Sequence, residues 1–435
     1  MPSRPNPTVD TPVARKEIAA WCGYDFAISS FSVIVVTVVF SAYFTKIVCA
    51  DLGVAKGLSL WGTAALLSHG TAFFLSPFLG AWADFHAAKR KLLLWATIVC
   101  AGATFLLSFV GVGDVRSAFI LFVVANLAYS LAENFNASFL PELAKPNEIG
   151  RVSGYGWAFG YVGGLVSLFA CYPLLKGGFT VENSVNLRHT TLFTSLFFAL
   201  CSLPALLILR DRSAPRAMPP GGLFRSAFAS VWQTTREIAR QPLLRTFFGA
   251  FLLYTCGVMT IVAFASIYAV SEIGFDGQGL ITLFIVLQIS GSIGAFGFGF
   301  VQDKWGSLLT LRLTLILWIG VVFSAYFCHS IVGFYLVGNL AGLGIGSLQS
   351  AGRAVVAQLA PPDRRAEYFG FWGLFSKLSA AVGPCVYGQV AAVTGSQRTA
   401  LLGTLAFFIS GFILLGFPAL RHLHLYGKPP QPETP

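Results

Sequence analysis

The feature that most restricts the fold is a series of twelve apolar stretches. Each is long enough to cross about 30 Å of hydrocarbon at about 1.5 Å per helical residue. Inside a bilayer the backbone must satisfy its own hydrogen bonds, so stretches of this length predict helices. Charged residues make up only 11% of the chain, whereas a soluble domain carries about 25%. The predicted spans cover residues 20–47, 58–83, 91–111, 117–141, 153–175, 190–209, 244–270, 278–301, 308–328, 334–359, 367–393 and 398–420.

The basic residues predict the orientation of these spans. Of the 29 Lys and Arg residues, 21 fall in the tails and even-numbered loops and six in the odd-numbered loops. The positive-inside rule therefore predicts that both termini are cytoplasmic. The net charge of +11 is interpreted as this topological signal, because the basic residues are not clustered with stacking aromatics. No nucleic-acid partner is expected.

A basic segment rich in Pro and Gly divides the chain into two halves of six spans. We expect a cytoplasmic tail over 1–19, a helical bundle over 20–209, a linker over 210–243, a second bundle over 244–420 and a tail over 421–435. Within the linker, the pattern of apolar and basic residues over 223–240 predicts an amphipathic helix on the inner leaflet. Its apolar side would comprise Leu223, Phe224, Ala227, Phe228, Val231 and Ile238.

A short motif occurs once in each half. Gly80 and Asp84 are followed by the basic residues Lys89 and Arg90, and a shorter copy contains Gly299, Asp303 and Lys304. A glycine lets two helices approach closely, and an Asp can occupy the positive N-terminus of a neighbouring helix. We expect contacts that close the cytoplasmic side from six of these residues: Gly80, Asp84, Lys89, Arg90, Asp303 and Lys304.

Charged side chains inside a bilayer are costly, so each one is a candidate functional residue. Span 4 is the most polar span, with Asn126, Tyr129, Glu133 and Asn136 recurring on one helical face. Glu133 lies near mid-span. Its carboxyl group either binds substrate or a proton, or it is a structural carboxyl that is held neutral or paired with a cation.

Three further spans carry interior charges. Gln349 and Arg353 share a face of span 10, Lys377 lies near the middle of span 11, and Asp25 lies near the start of span 1. Arg353 is suited either to bind a substrate carboxylate or to form an inter-helix ion pair that closes an inner gate. Lys377 is expected to be a counter-ion of Glu133 or of a substrate carboxylate. The depth of Asp25 favours a gate or helix packing.

Several chemistries have no signature in the sequence. No Lys is followed by Ser or Thr, so a Walker A motif is absent and ATP-driven transport by this chain is not expected. The eight Cys residues form no Cys-x-x-Cys pair. We therefore expect no enzyme activity, catalytic residue, cofactor or metal site.

Two segments carry a family resemblance. The run from Trp21 through Tyr24, Asp25 and Phe26 to Ala27, together with the turn 141–144, resembles the major facilitator family of fungal vacuolar amino-acid effluxers and their bacterial relatives. The resemblance implies spans 1, 4, 7 and 10 around a central cavity and spans 3, 6, 9 and 12 against lipid. Asp25, Glu133 and Arg353 lie on spans of the first group, and Lys377 lies on span 11. Spans 3, 6 and 12 carry no interior charge, and span 9 has only Arg312 near its start. A bacterial inner membrane is the location that the relatives imply.

These observations together predict an all-α membrane protein with twelve transmembrane helices, in two six-helix bundles related by a pseudo-twofold axis. Its expected function is secondary-active transport of a small polar or zwitterionic solute by alternating access. Amino-acid efflux and proton coupling are the particular forms considered, and the protein is expected to act as a monomer. Two alternatives remain open: export of amphipathic drug-like or lipid-like compounds, and a receptor that does not transport.

Overall fold

The computed structural model describes residues 14–212 and 223–416, which are helical and contain no β-strand within those ranges. The predicted tail 421–435 lies outside the described residues, as do residues 1–13 of the other tail and residues 213–222 of the linker.

Within the described residues, twelve long helices correspond to the predicted spans and follow one another in sequence. Eleven of them are long and apolar enough to cross a membrane. Span 11 is also long enough to cross, but it carries the charged Lys377 near its middle. The spans in the first half are Arg15–Val48, Val54–His86, Lys89–Leu107, Val115–Ala137, Ile149–Leu175 and Ser184–Ile208. Those in the second half are Pro242–Ile273, Gly277–Trp305, Ser307–Phe327, Ile331–Leu359, Arg365–Thr394 and Gln397–Leu414.

The packing of the spans repeats between the two halves. Span 1 packs on spans 5 and 6, span 3 on spans 4 and 6, and span 2 on span 4. The same pairs recur six spans later, since span 7 packs on 11 and 12, span 9 on 10 and 12, and span 8 on 10. Two bundles of six helices result, and the predicted fold class is confirmed.

The bundles meet mainly through two pairs of helices, span 2 with span 11 and span 5 with span 8. These two pairs are equivalent under the repeat. The described residues of the loops that follow even-numbered spans lie at one end of the molecule, which we call the basic end. At this end Gly306 alone connects spans 8 and 9, with a positive φ of 89° that favours glycine.

A linker helix, Leu223–Arg240, lies at the basic end, and only Gln241 separates it from span 7. The predicted apolar side is only partly correct. Ala227 and Ile238 are buried, but Phe228 is 54% exposed and small polar residues occupy much of the buried face. The side chains of Leu223 and Phe224 lie outside the described part of the chain. The buried face differs from the prediction because it packs on charged loops of the protein. Small polar Ser and Thr side chains fit against such loops better than large rings do.

Candidate functional site

Asp84 of span 2 lies against the first turn of span 11. Its carboxylate accepts hydrogen bonds from the backbone N–H groups of Ala366 (3.1 Å) and Glu367 (2.8 Å). A helix leaves its first N–H groups unpaired, and its dipole makes that end positive, so a carboxylate is stabilised there. Gly80 permits this approach, because a β-carbon at that position would collide with the carbonyl oxygen of Ala366. We call this contact the Asp84 junction.

The equivalent contact joins span 8 to span 5. Asp303 accepts hydrogen bonds from the backbone N–H groups of Gly150 (2.8 Å) and Arg151 (3.2 Å). A β-carbon on Gly299 would lie 2.8 Å from the carbonyl oxygen of Gly150. We call this contact the Asp303 junction. In both junctions the structure places the Asp at the N-terminus of a helix from the other bundle, as the motif predicts.

A third contact between the bundles is made by Arg353 of span 10, whose side chain is only 4% exposed. Its Nη1 donates to Asp25 Oδ2 of span 1 at 2.7 Å. Its Nε and Nη2 donate to the hydroxyl (3.1 Å) and the carbonyl oxygen (2.8 Å) of Ser153 in span 5. A buried guanidinium needs this many acceptors to offset the loss of water. Of the two roles open for Arg353, the inter-helix ion pair is the one present in this conformation.

Aromatic and amide groups complete the surroundings of Arg353. Its guanidinium carbon lies 4.6 Å from the ring centroid of Trp21 and 5.3 Å from that of Trp157. Trp21 Nε1 donates to the carbonyl oxygen of Asn136, and Asn136 Nδ2 donates to Asp25, both at 2.7 Å. The cluster therefore connects spans 1, 4, 5 and 10. Asn136, a predicted substrate residue, instead positions Asp25 here.

Glu133 and Lys377 face each other across the bundle interface. Lys377 Nζ lies 3.8 Å from Glu133 Oε2, and the two side chains remain 13% and 26% exposed respectively. Lys377 is twelve residues into span 11, about 18 Å from the basic end and near mid-membrane. Tyr129 flanks the pair, with its ring 5.9 Å from Lys377 Nζ and stacked on Phe31. The structure thus brings together three of the residues predicted for substrate binding or coupling.

Two other predicted substrate residues lie apart from this pair. Asn126 Nδ2 donates to Ser68 Oγ at 2.7 Å, which joins spans 2 and 4 within one bundle. Gln349 lines a small cavity between spans 7 and 10 with Phe251, Tyr254, Thr255, Val258 and Leu348. The sequence could not distinguish these positions, because all of them carry polar side chains on predicted cavity helices.

The basic residues of the two motifs differ from expectation. Lys89 forms a buried ion pair with Glu142 and lies 4.0 Å from Asp211, while Arg90 donates to the carbonyl oxygen of Leu206. These partners belong to the N-terminal half or to the start of the linker, so neither residue bridges directly to the other bundle. Lys304 is exposed. The reason is geometric: backbone N–H groups of the other bundle bind both Asp carboxylates, so neither carboxylate depends on the basic residues of its own motif.

Glu142 was not predicted as a site residue, although it lies in the turn that carries the family resemblance. Besides Lys89, it has Arg365 of the other bundle 3.6 Å away. Asp211 accepts from the backbone N–H of Arg90 at 3.1 Å. Burial raises the pKa of Asp211 above its usual value, and the nearby Lys89 charge opposes that shift. A charged turn outside the spans gives no sequence signal of such a cluster.

The hydrogen bonds and ion pairs described above between the bundles lie at the basic end or near mid-membrane. The Asp84 junction, the Asp303 junction, the Arg353 cluster and the Glu142–Arg365 contact are all on the basic side of the Glu133–Lys377 pair. This conformation is therefore closed at its basic end.

Within residues 14–212 and 223–416, no group of three His, Cys, Asp or Glu side chains is arranged to hold a metal ion.

Comparison with known sequences identifies relatives along most of the chain. The model of the family described as "Vacuole effluxer Atg22 like" matches residues 64–422. The Bacillus subtilis (strain 168) "Uncharacterized MFS-type transporter YxiO" is 25% identical over 408 residues, which cover 92% of this chain and 94% of that protein. Autophagy-related protein 22-1 of Aspergillus niger is 25% identical over 295 residues, 62% of this chain and 46% of the fungal protein. The matched region is thus about half the length of such fungal relatives.

Comparison with solved structures identifies the fold. The human organic anion transporter MFSD10 superimposes with a TM-score of 0.75 at 15% identity, over 93% of this chain and 100% of that chain. The E. coli fucose:proton symporter FucP superimposes with a TM-score of 0.70 at 12% identity, over 92% and 97%. At these identities the similarity concerns the fold alone, which is that of the major facilitator superfamily.

Proposed function

Because the chain belongs to the vacuole effluxer Atg22-like family of the major facilitator superfamily, we propose that it carries a small zwitterionic solute, such as an amino acid, by alternating access. Multi-pass membrane transporters of this superfamily are not enzymes.

The Glu133–Lys377 pair is the observation that carries this proposal. Its 3.8 Å separation is longer than a hydrogen bond, and both side chains keep some exposure. A zwitterion could insert between them with its ammonium group on Glu133 and its carboxylate on Lys377. Neither protein charge would then be left unpaired, which is the costly outcome inside a membrane. A singly charged anion bound to Lys377 would leave Glu133 uncompensated unless Glu133 took up a proton, and a singly charged cation bound to Glu133 would leave Lys377 uncompensated.

The junctions supply the conformational part of the mechanism. Each Asp contacts backbone N–H groups that belong to the other bundle, so these hydrogen bonds must break if the bundles separate at the basic end. Alternating access would exchange the conformation closed at that end for one open there. In this proposal Gly80, Asp84, Asp303, Asp25 and Arg353 act as gating residues.

One observation favours the second candidate, export of an amphipathic compound. The cavity beside Gln349 is lined mainly by the apolar surfaces of Phe251, Val258 and Leu348. Such a lining would accept an apolar group, while Thr255 and Gln349 offer hydrogen bonds. This cavity is small, so the zwitterion proposal remains the better supported one.

Flux into proteoliposomes tests the proposal. Purified protein would first be screened by thermal shift against amino acids, peptides, sugars and amphipathic compounds, because a ligand of the native state raises the melting temperature. Any stabilising compound would then be offered as a radiolabelled substrate with and without a pH gradient. Accumulation of an amino acid supports the proposal. Binding without flux would favour the receptor alternative, and flux of an amphipathic compound alone would favour the second candidate.

Charge-neutralising variants separate coupling from structure. If Glu133 carries the coupling proton, Glu133→Gln should retain substrate exchange and lose accumulation driven by the pH gradient. If Glu133 only neutralises Lys377, Glu133→Gln should lower the melting temperature and the double variant with Lys377→Gln should recover part of the loss. Unchanged accumulation together with an unchanged melting temperature would contradict both roles.

The orientation is also part of the proposal: the basic end faces the cytoplasm of a bacterial inner membrane. Glu182 lies exposed between spans 5 and 6, and Lys145 lies exposed between spans 4 and 5 at the basic end. In intact cells an impermeant thiol reagent should label Glu182→Cys and not Lys145→Cys. The reverse pattern would overturn the orientation.

A further inference from the structure

The outward face of the linker helix has no role in the proposed transport cycle. It presents a stripe of arginine and aromatic side chains, of which Phe228 is 54% exposed and Trp232 is 51% exposed. The guanidinium carbon of Arg236 lies 5.1 Å from the Trp232 ring centroid. Members of the stripe recur every three or four residues and include no Asp or Glu: Arg225, Phe228, Trp232, Arg236 and Arg240.

The inward face of the same helix carries small polar side chains that contact the protein. Ser230 donates to Glu367 at 2.7 Å, and Arg364 donates to Glu237 at 2.8 Å and to Thr234 at 3.2 Å. On a water-exposed helix the aromatic residues would face the protein and the small polar residues would face solvent. The observed arrangement is the reverse, which suits an outer surface that lies against lipid.

The position of the helix agrees with this interpretation. Phe228 stacks on Phe78 of span 2, with ring centroids 6.1 Å apart. Phe78 precedes the end of span 2 at His86 by eight residues, about 12 Å of helix. At its other end the linker helix is connected to Pro242 of span 7 by Gln241 alone. The stripe is therefore held close to the level at which these spans enter the membrane.

We propose that this stripe binds the headgroups of anionic phospholipids in the adjacent leaflet. Arg225, Arg236 and Arg240 would pair with lipid phosphate groups, to which a guanidinium can donate two hydrogen bonds. Phe228 and Trp232 would insert at the boundary between headgroups and acyl chains, where aromatic rings are enriched. Within the described residues none of the three arginines forms an ion pair, and the one carboxylate beside them, Glu237, is paired with Arg364. Three unpaired positive charges favour an anionic over a zwitterionic lipid.

Lipid binding would also stabilise the closed basic end. The inward face contacts Arg364 and Glu367, and Glu367 supplies one of the N–H groups that bind Asp84. A lipid that holds the helix in this place therefore favours the Asp84 junction. This consequence rests on the proposed function, whereas the lipid site itself does not.

Fluorescence quenching in proteoliposomes tests the site without any substrate. The protein would be placed in vesicles containing either brominated phosphatidylglycerol or brominated phosphatidylcholine, since bromine quenches an adjacent indole. The difference between the wild type and Trp232→Phe isolates the signal of Trp232. We expect phosphatidylglycerol to quench Trp232 more strongly, with a preference that decreases at high salt.

Two triple variants identify the residues responsible. Replacing Arg225, Arg236 and Arg240 by Gln should lower the preference for phosphatidylglycerol by about tenfold or more. The charge-matched control replaces Arg15, Lys16 and Lys145, which are exposed outside the linker helix, and should keep the preference. Melting temperatures would establish that each variant is folded. The salt dependence is measured on the wild type, so that test does not depend on the folding of any variant.

Three results would overturn the lipid site. They are equal quenching by the two lipids, an equal loss of preference in both triple variants, and no quenching of Trp232 by either lipid. The last result would place the stripe outside the bilayer and leave a soluble acidic partner as its occupant. Normal quenching in a protein that shows no flux with any compound would refute the proposed function while supporting the lipid site.

Discussion

The Asp84 and Asp303 junctions share a backbone arrangement but differ in what surrounds them. In each, a glycine permits close approach and a carboxylate accepts two backbone N–H groups at the start of a helix in the other bundle. Asp84 is buried, whereas Asp303 is only partly buried and has Arg151 Nε 3.8 Å away. Within the described residues, no Lys or Arg forms an ion pair with Asp84.

The neighbouring elements differ as well. The span 11 side of the Asp84 junction is contacted by the linker helix through Ser230 and by Glu142 through Arg365. The span 5 side of the Asp303 junction is contacted by Arg353 through Ser153. The repeat therefore preserved the groups that set the approach of the backbones, while side-chain support diverged. We expect the two junctions to open with different free energies.

The largest effect is expected from Arg353→Met, which removes the side-chain support of the span 5 side. It leaves Asp25 without its cation in a buried site, and loss of one partner of such a pair costs about 3–5 kcal/mol. The melting temperature in detergent micelles should fall accordingly. The double variant with Asp25→Asn should recover part of the loss. A single variant as stable as the wild type would show that the cluster does not hold the bundles together.

A smaller effect is expected from Gly80→Ala, because its β-carbon would collide with the carbonyl oxygen of Ala366. Such overpacking costs about 1–3 kcal/mol and should open the basic end, as measured by the distance between spin labels on Lys145 and Pro362. Gly299→Ala should do the same at the other junction. Gly102→Ala is the matched control, since no atom lies within 4 Å of its β-carbon position. Equal label distances in all three variants would contradict the close-approach role.

Asp84→Asn and Asp303→Asn compare the two carboxylates directly. A charge at a helix terminus contributes about 0.3–1 kcal/mol, and up to about 2 kcal/mol where it is partly buried. We expect the buried Asp84 to be near the upper value and the more exposed Asp303 near the lower. Transport should therefore fall further in Asp84→Asn, once its substrate is known, and the spin-label distance should lengthen more. A larger effect of Asp303→Asn would reverse the proposed ranking.

The smallest effect is expected from Glu237→Gln in the linker helix. Its ion pair with Arg364 is partly exposed, with side chains 22% and 13% exposed respectively, and pairs of this kind contribute about 0–1 kcal/mol. The melting temperature should change little, and only the Asp84 side should respond in label distances. A change as large as that of Asp84→Asn would mean that the linker helix controls the junction rather than supports it.

Much of the fold and part of the site could be predicted from the sequence. The twelve helices follow from the length of the apolar stretches. The motif predicted a neighbouring helix N-terminus as the partner of its Asp, but the sequence did not identify which helix. The pairing of Glu133 with Lys377 was among the expected arrangements, because few other charges lie deep in the spans. The surroundings of Lys89 and the exposure of Lys304 were not predictable, since a basic residue in a loop has no fixed partner.

The sequence by itself determined the number of spans, their repeat and the residues that permit close approach, because hydropathy, helical period and glycine are properties of local segments. Only the tertiary structure decided which distant groups meet. Arg353 contacts Ser153 across 200 residues, and Glu142 lies between Lys89 and Arg365. Those contacts depend on the rotation and depth of each helix in the packed molecule. Packing sets both of them, and no short pattern of residues records it.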